Sequence, residues 1–285
     1  MTAATRREFA AQVRGDAVDL GRAALLLAAE ATPELDVDAG VRTLDELAAA
    51  AAPLVGQSGA DPLAAAAPLT AAEGLAAAES LREALGGRAG FAGFPEDYAD
   101  LRASLLSEVL RRRRGLPILL SVVWLEVARR LGVPAYGVGI PGHFVVGIGR
   151  PGPDAVLVDP FRGGSAISRD ELAARAAAAG AALQEHDLAP WTPQQILLRM
   201  LTNIRAVSSG IEEVATRLWA VELSLLIPNH PLQLRRERGH LLVRVGDFRG
   251  GAAELAGYAS IVADVDPAEA QEAERESRMA LARMN

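Results

Sequence analysis

The chain has 285 residues, half of them hydrophobic but only 4% aromatic, and 36 acidic against 29 basic side chains give a net charge of −7. A chain of that sign is repelled overall by phosphate backbones, which disfavours general nucleic-acid binding. It contains no cysteine, so disulfides, thiolate metal ligands and thiol catalysis lie outside its own chemistry.

All the Lys/Arg-class residues are Arg, so no lysine amine can serve as an acyl acceptor within the chain. Alanine loses no side-chain entropy in a helix, so this alanine-rich composition predicts a mostly helical protein with one small sheet. The first residues, MTAATRREFA, hold no apolar leader. No run approaches the roughly 18 apolar residues of a membrane span. The expected location is cytoplasmic, with no membrane partner.

In chain order, Leu20 to Ala31 reads as an apolar helix ending before Thr32-Pro33. A second helix starts at Asp36 or Asp38 and carries Val41, Leu44 and Leu47 at helical spacing. Pro53 to Pro68 reads as a loop or a frayed helix pair. Thr70 and Glu73 form a capping-box pattern opening a helix to about Leu85. Gly86, Gly87, Gly90 and Gly93 mark a long turn. Arg102 to Arg114 reads as an amphipathic helix whose four terminal arginines face solvent and complement its C-terminal dipole.

Pro117 suits the first turn of the next helix, which runs to Leu131 and is apolar nearly all round. Such a helix is buried in a core. Three Val- and Ile-rich runs follow, Ala135 to Ile140, His143 to Ile148 and Ala155 to Asp159, and read as an antiparallel meander on that helix. Arg162 to Ser165 reads as a turn. Helices resume at Pro193, with two weakly similar units: Ser209-Gly210-Ile211 with Ala215 and Leu218, and Gly246-Asp247-Phe248 with Ala252 and Leu255. Two repeat-like units are too few to stand alone and are expected to pack on the core. The fold class is α+β.

The segments Gly115 to Ser121, Trp124 to Pro134, Gly139 to Phe144 and Leu157 to Phe161 together resemble the SirB-type family of transglutaminase-like proteins with a C-terminal tetratricopeptide-like region. Pro95 to Tyr98, Glu108 to Arg114, Arg199 to Ile204 and Arg236 to Gly239 extend the likeness. The resemblance implies an N-terminal helical region over 1–94, a transglutaminase-like, papain-like core over 95–190 and repeat-like helices over 191–285. In that wider superfamily a cysteine heads the buried helix, a strand histidine takes its proton and an aspartate on the next strand holds the imidazole.

Here His143 and Asp159 match the last two positions, and the resemblance implies that they meet at one sheet edge. Counting back from Gly132-Val133-Pro134 puts the cysteine's place on or beside Pro117, which carries no nucleophile. Ser121 is the nearest hydroxyl, one turn deeper and about 6 Å along the axis; a buried helical serine more commonly bonds back to a carbonyl. Read without the resemblance, His143 is a turn histidine and Asp159 an Asx-turn before Pro160. Glu126 is placed to pair with Arg130 at i+4. Pro117, Trp124, Glu126 and Phe144 are the candidate lining of a pocket beside the pair. The four histidines (His143, His186, His230 and His240) lack metal-site spacing, so no metal and no cofactor are expected.

Three functions remain. One is a non-catalytic binding or regulatory protein that meets another protein through its C-terminal helices. Another is a hydrolase or acyltransferase in which His143 and Asp159 activate water or Ser121. The third is a purely structural interaction module at the C-terminal helices, with the core as ballast.

Overall fold

A computed structural model describes the chain apart from residues 1–2, 16, 58–68, 153, 209, 211–212 and 285. Side-chain caps set the early helix starts. After α1 (Ala3–Arg14), α2 (Leu20–Ala31) opens where the Asp19 carboxylate accepts the Arg22 N–H. In α3 (Val37–Gln57) Asp36 accepts from Ala39 N–H, and α4 (Ala71–Leu81) carries the full Thr70/Glu73 capping box. Pro53, which reads from sequence as the start of a loop, lies inside α3. Ala51 and Val55 on either side of it are buried, so packing holds the helix to the core despite the missing N–H. The rest of that expected loop, 58–68, lies outside the described residues.

The helix expected to reach Leu85 gives way at Arg82 to a π-helical turn, Arg82–Arg88. Glycine is required there. A Cβ on Gly86 would lie 1.9 Å from the Gly163 carbonyl oxygen, and one on Gly93 would meet the Phe161 ring at the same distance. Gly93 N–H also donates to the Phe161 carbonyl at 2.9 Å. The glycine-rich turn therefore clamps the loop that follows Asp159.

The expected helix over 102–114 is broken. Two 3-10 turns, Pro95–Ala99 and Leu101–Ser104, precede a short α5 (Leu106–Arg112), and Arg113 sits in the left-handed region at φ 59°. Nor do its arginines all face solvent. Arg112 pairs with Asp100 at 2.8 Å, Arg113 lies 4.7 Å over the Phe91 ring, and Arg114 Nε reaches Asp97 at 2.9 Å. Asp97 is fully buried, and a buried carboxylate needs such a partner. Arg111 stays at the surface with Glu108.

α6 (Pro117–Arg130) is buried apart from Leu125 and its two terminal arginines. It lies under an antiparallel sheet of β1 (Ala135–Ile140), β2 (His143–Ile148), β3 (Val156–Asp159) and β4 (Ser165–Ala166), in that spatial order. The two-residue β4 falls where the sequence reads as a turn. Phe144, Val146, Ile148 and Val158 join the main core with α6. Val138, Ile140 and Val145 pack on Leu172 of α7 (Arg169–Ala178). All six residues of β2 are consequently buried. Its hairpin to β1 turns at Pro141-Gly142, where Gly142 takes φ +74°.

The helices α8 (Pro193–Val207), α9 (Val214–Ser224), α10 (Gln233–Arg244), α11 (Phe248–Val262) and α12 (Pro267–Ala282) follow. The main core runs from Phe9 to Ile227 and so takes in α8 and α9. The later helices add smaller clusters, one around Val221, Leu234 and Leu241 and another around Tyr258 and Ala273. Ser209 and Ile211 of the first repeat-like unit lie outside the described residues. Among the described residues no helix is long and apolar enough to cross a membrane.

Candidate functional site

The strand register brings His143 and Asp159 together. Val146 pairs with Val158, so Asp159 stands beside Val145, and His143 lies two residues further along the same face. The side chains are 2% and 0% exposed, and His143 Nε2 lies 3.0 Å from Asp159 Oδ1. The pair makes no hydrogen bond in this geometry, so the contact is one of proximity. Asp159 Oδ1 also accepts the Phe161 N–H at 3.1 Å, the Asx-turn expected from the sequence. Its Oδ2 faces Arg175 of α7 at 3.2 Å. Nothing in the sequence around Arg175 signals that contact, because it depends on how α7 folds back over the sheet.

With Nε2 turned to Asp159, Nδ1 is the free nitrogen of His143, with no protein partner among the described residues. The ring is held edge-on to Phe161 at 6.1 Å, and Phe161 is covered in turn by Tyr98 at 5.7 Å. His143 lines a small cleft of about 50 Å³ with Pro117, Ile118 and Phe144 as walls and Tyr98, Arg199 and Asn203 at its polar side. Burial pushes the Tyr98 hydroxyl up from its ordinary range, partly opposed by the positive fields of Arg175 and Arg199.

The predicted site residues separate into two groups. Pro117 and Phe144 meet His143 in the cleft. Ser121, Trp124 and Glu126 do not line it. Ser121 is fully buried, and its hydroxyl makes no hydrogen bond, not even the expected one back to a carbonyl. Trp124 is also fully buried, edge-on to Phe91 at 6.2 Å. It stands seven residues from Pro117, about 10 Å down the helix axis. Glu126 pairs with Arg130, as the spacing predicts, and with Arg129 at 2.9 Å. A helix that is apolar all round has no face reserved for a site, so residue type alone could not separate cleft from core.

Tyr98, Arg199 and Asn203 carry no site signal of their own in the sequence, although each lies in a segment that carries the family resemblance. His186, His230 and His240 stay apart from the cleft, and among the described residues no three His, Cys, Asp or Glu side chains gather to hold a metal ion.

The transglutaminase-like superfamily model matches residues 39–202, more than half of the chain. A UPF0162 protein of Xylella fastidiosa (strain Temecula1) is 38% identical over 180 residues, covering 60% of this chain and 63% of that protein. A UPF0162 protein of Pseudomonas aeruginosa is 38% identical over 114 residues, covering 39% of this chain and 41% of that protein. F-box only protein 21 of Mus musculus is 43% identical over 56 residues, 20% of this chain and 9% of that protein. The matched region thus spans less than two thirds of the length of the curated relatives. No solved structure matches the chain. The buried helix with a proline at its head, the antiparallel sheet over it and the match across 39–202 lead to one assignment: the chain belongs to the transglutaminase-like superfamily.

Proposed function

We propose that the chain is a non-catalytic binding or regulatory protein of SirB type, in which the cleft at His143 and Asp159 binds a ligand and performs no acyl transfer. The observation that carries this reading is Pro117. It stands at the head of the buried helix, in the same cleft as His143, and the resemblance puts the superfamily's cysteine on or beside it. Without a nucleophile the covalent step has no first atom. Asp159 is shared among His143, the Phe161 N–H and Arg175, an arrangement suited to holding a charge in place.

In this reading the C-terminal helices, as degenerate tetratricopeptide-like pairs, meet a partner protein in the cytoplasm. The paired helices α8–α9 and α10–α11 support it. The 1–94 region serves as scaffold, 95–190 forms the cleft together with Arg199 and Asn203, and the rest of 191–285 offers the partner surface. The competing reading is a hydrolase or acyltransferase. It is left with water as its nucleophile, because the Ser121 hydroxyl is sealed in the core.

The test is turnover of a broad panel of esters and amides by the purified chain beside His143→Ala. Equal background rates support the binding reading. Turnover lost with His143 overturns it.

A further inference from the structure

We infer that the cleft beside His143 takes a carboxylate group. The inference rests on reading that cleft as a binding site. Its polar side is built from donors. Arg199 is half-buried on α8 and has no acidic partner among the described residues. Most arginines around it differ in this respect: Arg205 and Arg217 share Glu237, and Arg175 faces Asp159. Asn203 lies four residues on, on the same helix face, and its amide makes no hydrogen bond to a described residue. Tyr98 adds a hydroxyl.

The opposite wall is the head of α6. Pro117 has no N–H, and the Leu119 and Leu120 N–H groups both donate to the Leu116 carbonyl. Ile118 N–H is left without a partner among the described residues, at the positive end of the helix. Between the two walls stands His143, 2% exposed, with Nδ1 free. The Asp159 carboxylate already faces His143 and the Phe161 N–H through Oδ1 and Arg175 through Oδ2. In a chain of net charge −7 this cleft is locally positive, and an anion would complete it.

Size selects the anion. About 50 Å³ corresponds to roughly four water-sized positions. A carboxylate with a short alkyl stub fits, and Leu116, Ile118 and Phe144 supply the apolar contact for the stub. The planar guanidinium of Arg199 can grip both carboxylate oxygens, with Asn203 or Ile118 N–H supplying a further bond. The source is either a free short-chain acid or the carboxylate that ends a peptide-like chain.

The imidazole proton signals of His143 report the site in the full chain. Propionate, N-acetylalanine, propionamide and inorganic phosphate are titrated in at constant ionic strength. A saturable shift with propionate or N-acetylalanine, and none with propionamide, is the expected result. Tighter binding of N-acetylalanine points to a chain terminus, and tighter binding of propionate to a free acid. Arg199→Gln should weaken binding about tenfold, with partial recovery in Arg199→Lys. The inference is overturned if no titrant gives a saturable shift, if propionamide or phosphate matches the acids, or if a folded Arg199→Gln binds as well as the parent chain. The failures are separable: absence of carboxylate binding without His143-dependent turnover removes this inference alone, whereas such turnover removes the non-catalytic reading whatever binds.

Discussion

His143 turns Nε2 toward Asp159 at 3.0 Å, and the same side chain lines the cleft whose wall is Pro117. A histidine oriented by a carboxylate on one nitrogen and free on the other is arranged to take a proton. What is missing is an atom to give one. Pro117→Cys supplies it. The chain has no other cysteine, so any thiol signal comes from that position. The helix dipole and His143 should both lower the new thiol's pKa below the ordinary value of about 8.5. Alkylation by iodoacetamide across pH should therefore persist at neutral pH, and the added His143→Ala change should move the profile back upward. An ordinary thiol profile in the single variant would mean that Nδ1 does not face this position.

Ser121 tests the same helix one turn deeper. Its hydroxyl is buried without a partner, so the folded state bears a desolvation cost with no bond in return. Ser121→Ala should leave stability unchanged or raise it by up to about 1 kcal/mol in urea unfolding. Any activity or binding should be untouched. A loss of more than about 1 kcal/mol would show that the hydroxyl is bonded after all.

The capped helix starts, the buried α6 and three of the four strands were legible because their signals are local. Thr70 and Glu73, or Gly132-Val133-Pro134, act within one turn of the boundary they set. The His143–Asp159 pair was legible through family resemblance, since both residues sit at strand ends within recognisable segments. Arg175 and Arg199 were not legible as site residues. Arg175 reaches Asp159, and Arg199 the cleft, only through the docking of its own helix, and surface arginines are common. Trp124 and Glu126 misled for the opposite reason. They share a helix with Pro117 but stand about two to two and a half turns further along its axis. The π-helical turn at Arg82–Arg88 depends on contact with Gly163, nearly eighty residues later, which no local pattern encodes.

That contact yields a paired glycine prediction. A Cβ on Gly86 would lie 1.9 Å from the Gly163 carbonyl oxygen, backbone that cannot swing aside. Gly86→Ala should cost about 1–3 kcal/mol and displace the loop that follows Asp159. At Gly257, inside α11, a Cβ would meet nothing within 4 Å. Gly257→Ala should instead stabilise by up to about 1 kcal/mol, since it only removes backbone freedom from a helix interior. Urea unfolding of the two variants should move in opposite directions. Equal shifts would show that the Gly86–Gly163 approach is looser in solution.

Glu237 on α10 ties three helices together, accepting from Arg205 of α8 and from Arg217 of α9 at 2.7 Å. Burial pushes its carboxyl up, but the hydrogen bonds and charges of the two arginines outweigh it, and the net shift is downward. A carboxyl lowered on folding contributes stability that is fully present above its unfolded value of about 4.3. That contribution drains away as pH falls through the lower folded value. Glu237→Gln should therefore cost about 1–2 kcal/mol at neutral pH. The gap between variant and parent should narrow once pH drops below about 4.3, because the parent is then losing the same interaction. The parent chain will still weaken in acid through Glu276, whose carboxyl is held low against its own burial by Arg236 and His240. Urea midpoints of both proteins across an acid series decide the matter. A gap that stays constant down to the lowest pH would mean that the Glu237 charge does not hold α8, α9 and α10 together.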